Sequence, residues 1–405
     1  MKNISQLQED YRQAQAKGLK LDMSRGKPGA DQLALSQDIL DAKWVTPAKA
    51  ENGFDCRNYG LLEGIPEARR LFAEMLEVPP DWVLASNNAS LQLMFDVLAQ
   101  CMLFGAGAEP WSKLEKVKFL CPAPGYDRHF GILELLGIEM LNVPMLAGGP
   151  DMDLVESLAG DPAVKGLICV PKYSNPEGKT FSDAVVRRFA SMKTAAPDFR
   201  VVWDNAYLVH DLYDETDPLL NVFEATKECG TEDRFIEVTS FSKITFPGGG
   251  MSCLATSPAN IKMILKRMGI QTIGPDKLNQ LRHANYFKDV AGVKAHMQKH
   301  AAILRPKFEA VLEILGRELS GVATWTVPRG GYFISLDLPA GCAKRTAQLC
   351  KEAGVVLTPA GATYPLGLDP EDKNIRIAPT FPPIDELVAA TELLVICAQM
   401  AVQGA

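Results

Sequence analysis

The sequence predicts an α/β protein, with a mainly parallel sheet covered by helices on both faces and joined to a smaller α+β unit. Three observations carry that reading. Short β-branched or apolar runs alternate with stretches of helical period, polar residues stand at the carboxyl ends of four of those runs, and after about residue 285 the texture changes to long helix.

In chain order, the strand runs are Val117 to Cys121, Ile138 to Val143, Gly166 to Val170, Val201 to Trp203, Phe235 to Thr239 and Ser252 to Thr256. Helical period or capping residues lie between most of them, as at Asp183 to Met192 and Pro258 to Met268. Asp289 to Leu319 reads as one long polar helix, Gly331 to Leu338 as a strand and Ala343 to Ala353 as a helix. A large unit over 46–290 and a small one over 291–405 are expected, and residues 1–45, too few to fold alone, are expected to pack on the small unit.

Composition narrows the function. The 405 residues are 47% hydrophobic and 22% charged, enough apolar material for one large or two ordinary domains. With 42 basic against 49 acidic residues the net charge is -7, which offers no electrostatic footprint for nucleic acid or an anionic membrane. Small-molecule chemistry is the default. The nine cysteines are scattered without any C-x-x-C and read as reduced thiols. Met1 to Lys20 lacks an apolar signal core, and the apolar stretch Leu393 to Val402 is too short to span a bilayer, so a cytoplasmic protein is expected.

The polar residues at the strand ends point to one site. Cys121 is followed by Pro-Ala-Pro-Gly-Tyr126, Val170 by Pro-Lys-Tyr-Ser-Asn175, Trp203 by Asp204, and Thr239 by Ser-Phe-Ser-Lys243. Ligands of open α/β sheets bind outside the carboxyl edge, so these residues are expected to meet in one crevice within the span Asn88 to Lys243. A lysine there becomes a nucleophile when a desolvated pocket with a nearby cation lowers its pKa. An aspartate closing a buried strand needs a cation to meet, or serves as a helix cap.

Other motifs carry less. Gly178-Lys179-Thr180 resembles the tail of a P-loop, but Tyr173 stands where that loop needs glycine. Ser240 to Lys243 matches S-x-x-K without the S-D-N or K-T-G that acyl-enzymes add. His296 and His300 have zinc-like spacing but are flanked by Lys294 and Lys299, so a solvated helix face is expected. Gly248 to Gly250 would let backbone pass close to a ligand or a strand.

Seven motifs occur in a familiar order: Asn58-Tyr59-Gly60 with Gly64, Ser86-Asn87-Asn88, Pro124-Gly-Tyr126, Asn175-Pro-Glu-Gly178, Asp204-x-Ala-Tyr207, Ser240-x-x-Lys243 and Asn374-Ile-Arg376. Together they resemble the motif series of fold-type I aminotransferases, enzymes that use pyridoxal 5'-phosphate, over Ser24 to about Pro383. Ser24 to Pro28, Tyr126 to Phe130 and Gly274 to Gln280 resemble the divergent aspartate aminotransferase branch of the class I family. The resemblance implies the type I fold of pyridoxal-phosphate-dependent transferases, with a mainly parallel seven-stranded sheet and a smaller α+β domain.

The resemblance also implies roles. Lys243 would carry the cofactor as a Schiff base and then move the proton, and Asp204 would pair with the pyridine nitrogen. Tyr207 and Asn175 would hydrogen-bond the ring's 3-oxygen, and Tyr126 would stack on its face. Ser86, Asn87 and Asn88, before a helix expected at Ala89 to Cys101, would bind phosphate together with Ser240 and with Tyr59 from a second subunit, which implies a homodimer. The sequence departs from the family at one point, because Met251 stands where an arginine commonly binds phosphate eight residues after the lysine. Arg376 would clamp the substrate α-carboxylate with Gly26 beside it, while Arg128 and Arg25, with Lys27 behind them, are candidates for a distal carboxylate.

The expected activity is transfer of an amino group from aspartate or glutamate to a 2-oxo acid such as 2-oxoglutarate, by a ping-pong mechanism. Tyr126, Phe130 and Tyr364 lining a roomier pocket would instead suit aromatic acids or kynurenine, and a lyase on the same cofactor is a further reading. The effector-binding domain of a transcription regulator fits least, since only about 23 residues precede the Ser24 motif and the net charge is negative.

Overall fold

The computed structural model describes residues 2–404. The chain opens with α1 (Ile4–Ala16), β1 (Leu21–Asp22), α2 (Ala30–Ala34) and α3 (Pro66–Leu76). It continues with β2 (Val83–Ala85), α4 (Ser90–Phe104), β3 (Lys118–Ala123), α5 (Asp127–Leu135), β4 (Glu139–Leu146) and β5 (Gly149–Pro150). Next come α6 (Met152–Leu158), β6 (Val164–Cys169), α7 (Asp183–Ser191), β7 (Arg200–Asp204), α8 (Val222–Thr226), β8 (Phe235–Ser240) and β9 (Ser252–Ala255). Five helices and four short strands complete it: α9 (Pro258–Gln271), α10 (Lys277–Phe287), α11 (Val290–Leu319), β10 (Thr324–Trp325), β11 (Ile334–Asp337), α12 (Ala343–Glu352), β12 (Val355–Val356), β13 (Asn374–Ile377) and, closing the chain, α13 (Ile384–Val402).

The large sheet runs β2-β9-β8-β7-β6-β3-β4, with the two-residue β5 added at the β4 edge. Its central strands β4, β3, β6, β7 and β8 pair parallel, while β9 and β2 pair antiparallel at the other edge. Helices cover both faces, which is why β6 to β9 are buried at every position and read as continuous apolar runs. Alternation still sorts the side chains. On β7, Val201 and Trp203 enter one core while Val202 enters the other, so Asp204 ends the strand on the Val202 face.

A second antiparallel sheet, β10-β11-β13, packs with α12, α13 and the later part of α11. The N-terminal stretch divides. Leu7 and Tyr11 of α1 enter the same core as α13, Tyr11 donates to the Leu349 carbonyl at 2.9 Å, and β1 pairs with β12. Ile39 instead joins the core beneath the large sheet, and Trp44 packs edge-on against Tyr286 of α10 at 5.3 Å. The long α11 also serves both cores, Val293 and Met297 in one and Leu304 to Leu319 in the other.

Two expectations change here. His296 and His300 do not face solvent: they are 4% and 1% exposed, because they fall on the buried stripe Val293, Met297, Leu304 of α11. Lys294 and Lys299 lie off that stripe, so charged neighbours in sequence say little about a histidine's own face. Of Gly248 to Gly250, only Gly250 is closely packed, where a Cβ would stand 3.0 Å from the Ser242 nitrogen.

Candidate active site

The carboxyl ends of β3, β6, β7 and β8 bring Tyr126, Asn175, Asp204 and Lys243 together, as the sequence predicts. Asp204 is 2% exposed; its Oδ2 accepts from His129 Nε2 at 2.9 Å, and its buried Oδ1 has no partner. A desolvated carboxylate with one idle oxygen is costly unless a cationic donor meets it. Lys243 Nζ lies 4.8 Å from the Tyr207 ring centre and 5.9 Å from that of Tyr332. Burial pushes the Lys243 amine below the usual lysine range, with Asp204 opposing and Arg376 adding to the shift. A shift in that direction favours the neutral amine, the form in which a lysine can act as nucleophile or base.

Aromatic groups shape the rest of the floor. Tyr126 precedes α5 and meets His129 edge-on at 4.9 Å. Burial, with Asp204 and Asp127 adding, raises its phenol to about 12. Tyr207 is buried between Tyr332 at 5.8 Å and His210 at 5.5 Å, and burial lifts its phenol well above the ordinary value. Both hydroxyls therefore stay protonated donors.

β13 carries Arg376 into the crevice opposite Ser335 of β11. Its Nη1 donates to Asn175 Oδ1 at 3.1 Å and to Asp127 Oδ1 at 2.9 Å, and its Nε and Nη2 both donate to Thr358 Oγ1, at 3.3 and 3.2 Å. Thr358 passes its own hydrogen to the Ser24 carbonyl at 2.6 Å, which ties the guanidinium to the N-terminal segment. Phe333 stacks beneath it at 4.8 Å, and a Cβ on Gly26 would lie 2.3 Å from that ring, so only glycine fits.

The loop Ser86-Asn87-Asn88 joins β2 to α4 through a left-handed Asn87 (φ 60°), and no side chain caps α4 at Ala89. A helix start without a side-chain cap leaves first-turn N–H groups available to an anion. Ser242 donates to the Asn88 carbonyl at 3.3 Å and accepts from Ser240 Oγ at 3.1 Å, while Asn88 Nδ2 reaches the Pro247 carbonyl at 3.5 Å. These contacts hold the Ser86-Asn87-Asn88 loop against the turn that carries Ser240 and Ser242. Met251 is buried in the core beside Phe241.

Some expected residues stand apart. Arg25 and Arg128 are exposed and donate no side-chain hydrogen bond or ion pair among the described residues, and Lys27 lies over the Phe381 ring at 3.8 Å. Tyr59 is 76% exposed, with no hydrogen bond to its hydroxyl among the described residues. Phe130 packs into the apolar core at 4% exposure instead of widening a pocket, because it falls on the sheet-facing side of α5.

Sequence reasoning gave no role to His129, Asp127, Ser242, Thr358, Tyr332 or Phe333. His129 was within reach, since it lies three residues after Tyr126 and so on the same face of a helix opening there. Thr358 sits in a loop and carries no such signal.

Comparison with known proteins fits this geometry. The family described as aspartate amino-transferase matches residues 2–404. The chain belongs to that family. It is 50% identical to an aspartate aminotransferase of Corynebacterium glutamicum over 98% of this chain and 92% of that protein. It is 49% identical to a putative aminotransferase of Mycolicibacterium smegmatis, over 97% of this chain and 94% of that one. A crystal structure of an aspartate transaminase from Corynebacterium glutamicum superposes with a TM-score of 0.96 at 49% identity, covering 99% and 96% of the two chains. An α-aminoadipate aminotransferase of Thermus thermophilus, solved with N-(5'-phosphopyridoxyl)-L-leucine, shares the fold at a TM-score of 0.79 and 22% identity, over 98% and 96% of the chains. The chain is an aminotransferase of the type I fold. Among the described residues no helix is long and apolar enough to cross a membrane, and no cluster of His, Cys, Asp or Glu is suited to a metal ion.

Proposed function

We propose that this aminotransferase uses pyridoxal 5'-phosphate carried on Lys243 and moves the amino group of aspartate or glutamate to a 2-oxo acid such as 2-oxoglutarate. The observation that carries the reading is the idle Oδ1 of Asp204, a buried carboxylate oxygen suited to a protonated pyridine nitrogen. When bound, the cofactor supplies a conjugated sink for the electron pair left as the substrate α-proton departs.

The chain's own groups do the remaining work. His129 holds Asp204 in place, and the carboxylate so held would keep the nitrogen of a bound pyridine ring charged. Tyr207 and Asn175 are suited to donate to the ring oxygen, Tyr126 to cover one face, and Ser86, Asn87, Asn88, Ser240 and the start of α4 to hold phosphate. Lys243 would hold the cofactor through Nζ and, as a free amine, is suited to take the proton from the substrate α-carbon. Arg376 accepts the α-carboxylate in bidentate fashion, with Gly26 leaving room for it. Arg25 and Arg128, which have no partners of their own, are the side chains suited to a second carboxylate, with Lys27 behind them.

In this reading 46–290 bears the cofactor, and 291–405 with the N-terminal segment brings Arg376 to it. A homodimer completes the site: Tyr59 (76% exposed) is suited to reach a partner's phosphate, and Ile270 (92%), Ile273 (61%), Leu103 (61%) and Phe104 (56%) form an apolar surface suited to a second copy. Nine free cysteines suit a reducing, cytoplasmic setting. Purified protein given pyridoxal phosphate should gain a visible absorption band that bleaches with aspartate or glutamate. A band that bleaches with alanine or kynurenine, and not with aspartate or glutamate, would replace the substrate reading.

A further inference from the structure

Beneath Lys243 lies a hydrogen-bonded string that the proposed mechanism does not use. It begins in the N-terminal segment, where the Gly29 N–H donates to Gln32 Oε1 at 3.1 Å. A backbone N–H can only donate, which fixes the orientation of the Gln32 amide and makes its other end the NH2 group. That NH2 group donates to His300 Nδ1 at 3.0 Å and to the Tyr332 hydroxyl at 2.9 Å. That assignment fixes the His300 tautomer. His300 must leave Nδ1 bare and carry its hydrogen on Nε2, which lies 3.2 Å from His296 Nε2 and also faces the Ile244 carbonyl. His296 Nε2 also stands 3.1 Å from Ser36 Oγ.

The string ends on both carbonyls that flank the Lys243–Ile244 step. Tyr332, having accepted from Gln32, donates to the Lys243 carbonyl at 3.4 Å. The Ile244 carbonyl accepts from Ser36 Oγ at 3.4 Å and is hydrogen-bonded to His296 Nε2 at 3.1 Å. Gln32, Ser36, His296, His300 and Tyr332 are all buried, so none of these groups has water as an alternative partner. Burial holds both imidazoles below the usual histidine range, His300 at about 4, so the string is neutral at pH 7.

We propose that Gln32, Tyr332, His300 and His296 form a hydrogen-bonded string that registers the Lys243-bearing turn against the N-terminal segment, making them positioning residues for the Lys243 amine. The proposal rests on the reading that Lys243 carries the cofactor. It gives the two buried histidines a task, and it links the segment that carries Arg25 and Gly26 to the reacting lysine.

Two measurements test it, one of which needs no cofactor. In protein labelled with 15N-histidine, only five histidines contribute signals. His300 is expected to be protonated at Nε2, and the opposite tautomer at that ring overturns the proposal. In holoenzyme, His300→Leu and Tyr332→Phe should each shift the pH midpoint of the visible band and lower kcat, about tenfold for His300→Leu and less for Tyr332→Phe, with KM changed less than about twofold. His300→Gln, which keeps a donor and an acceptor, should recover part of the loss. If His300→Leu fails to fold, Tyr332→Phe and the His300 tautomer decide. Unchanged midpoint and kcat in the variants that fold overturn the proposal, whereas a wild-type protein without any visible band overturns the reading of Lys243 and leaves the tautomer result standing.

Discussion

At the floor of the crevice Asp204 is 2% exposed and held by His129, while at the rim Arg25 and Arg128 are exposed and hold nothing among the described residues. The two regions do different physical work. Floor groups sit in low dielectric with fixed partners, where each charge acts strongly and at short range. Rim charges are hydrated and screened, so they steer and select weakly until a ligand closes over them. Mechanism is therefore expected to depend on the floor and substrate choice on the rim.

The largest break in that comparison is Lys243→Ala, which should abolish the visible band and lower kcat by on the order of 10⁴-fold in a stopped assay with aspartate. Next, Asp204→Asn removes the negative charge but keeps the shape, and should cost about 10²–10³-fold in kcat while the fold, read by circular dichroism, is unchanged. Arg376→Lys keeps charge but loses the fork, and should raise KM for every amino acid about tenfold or more. At the rim, Arg128→Ala should reduce kcat/KM for aspartate by about tenfold and leave alanine nearly untouched. Equal damage to both substrates would move Arg128 from selection to scaffold.

The smallest effect concerns a second buried carboxyl on the other face of the sheet. Glu237 accepts from Asn205 Nδ2 at 2.8 Å, and burial raises it to about 7. Between the ordinary glutamate value and about pH 7 the folded chain holds a proton that the unfolded chain has lost, so this group lowers stability as pH rises through that window. Glu237→Gln should therefore raise Tm by roughly 2–4 °C at pH 8 and change it little at pH 5. A larger gain at pH 5 than at pH 8 would contradict the direction of the shift.

The floor is more legible in the sequence than the rim or the underlying string. Asp204 and Lys243 follow apolar runs directly, and a polar residue ending a buried strand of an open sheet has one edge to go to. Arg376 is legible through its place in the motif series, but its Thr358 partner is not, since contacts between distant loops leave no periodic trace. His296 and His300 were misplaced because their lysine neighbours outweighed the three- and four-residue spacing that sets the buried face of α11. The split of the N-terminal stretch, α1 toward α13 and Ile39 toward the large sheet, likewise depends on packing that segment length alone cannot express.

The central claim is tested most directly by treating the protein loaded with pyridoxal phosphate with borohydride, digesting it and locating the added mass. The account predicts that the label is found on the peptide bearing Lys243 and is lost in Lys243→Ala. A label on Lys172 or Lys277 instead, or no label on protein that is active with aspartate, would contradict it.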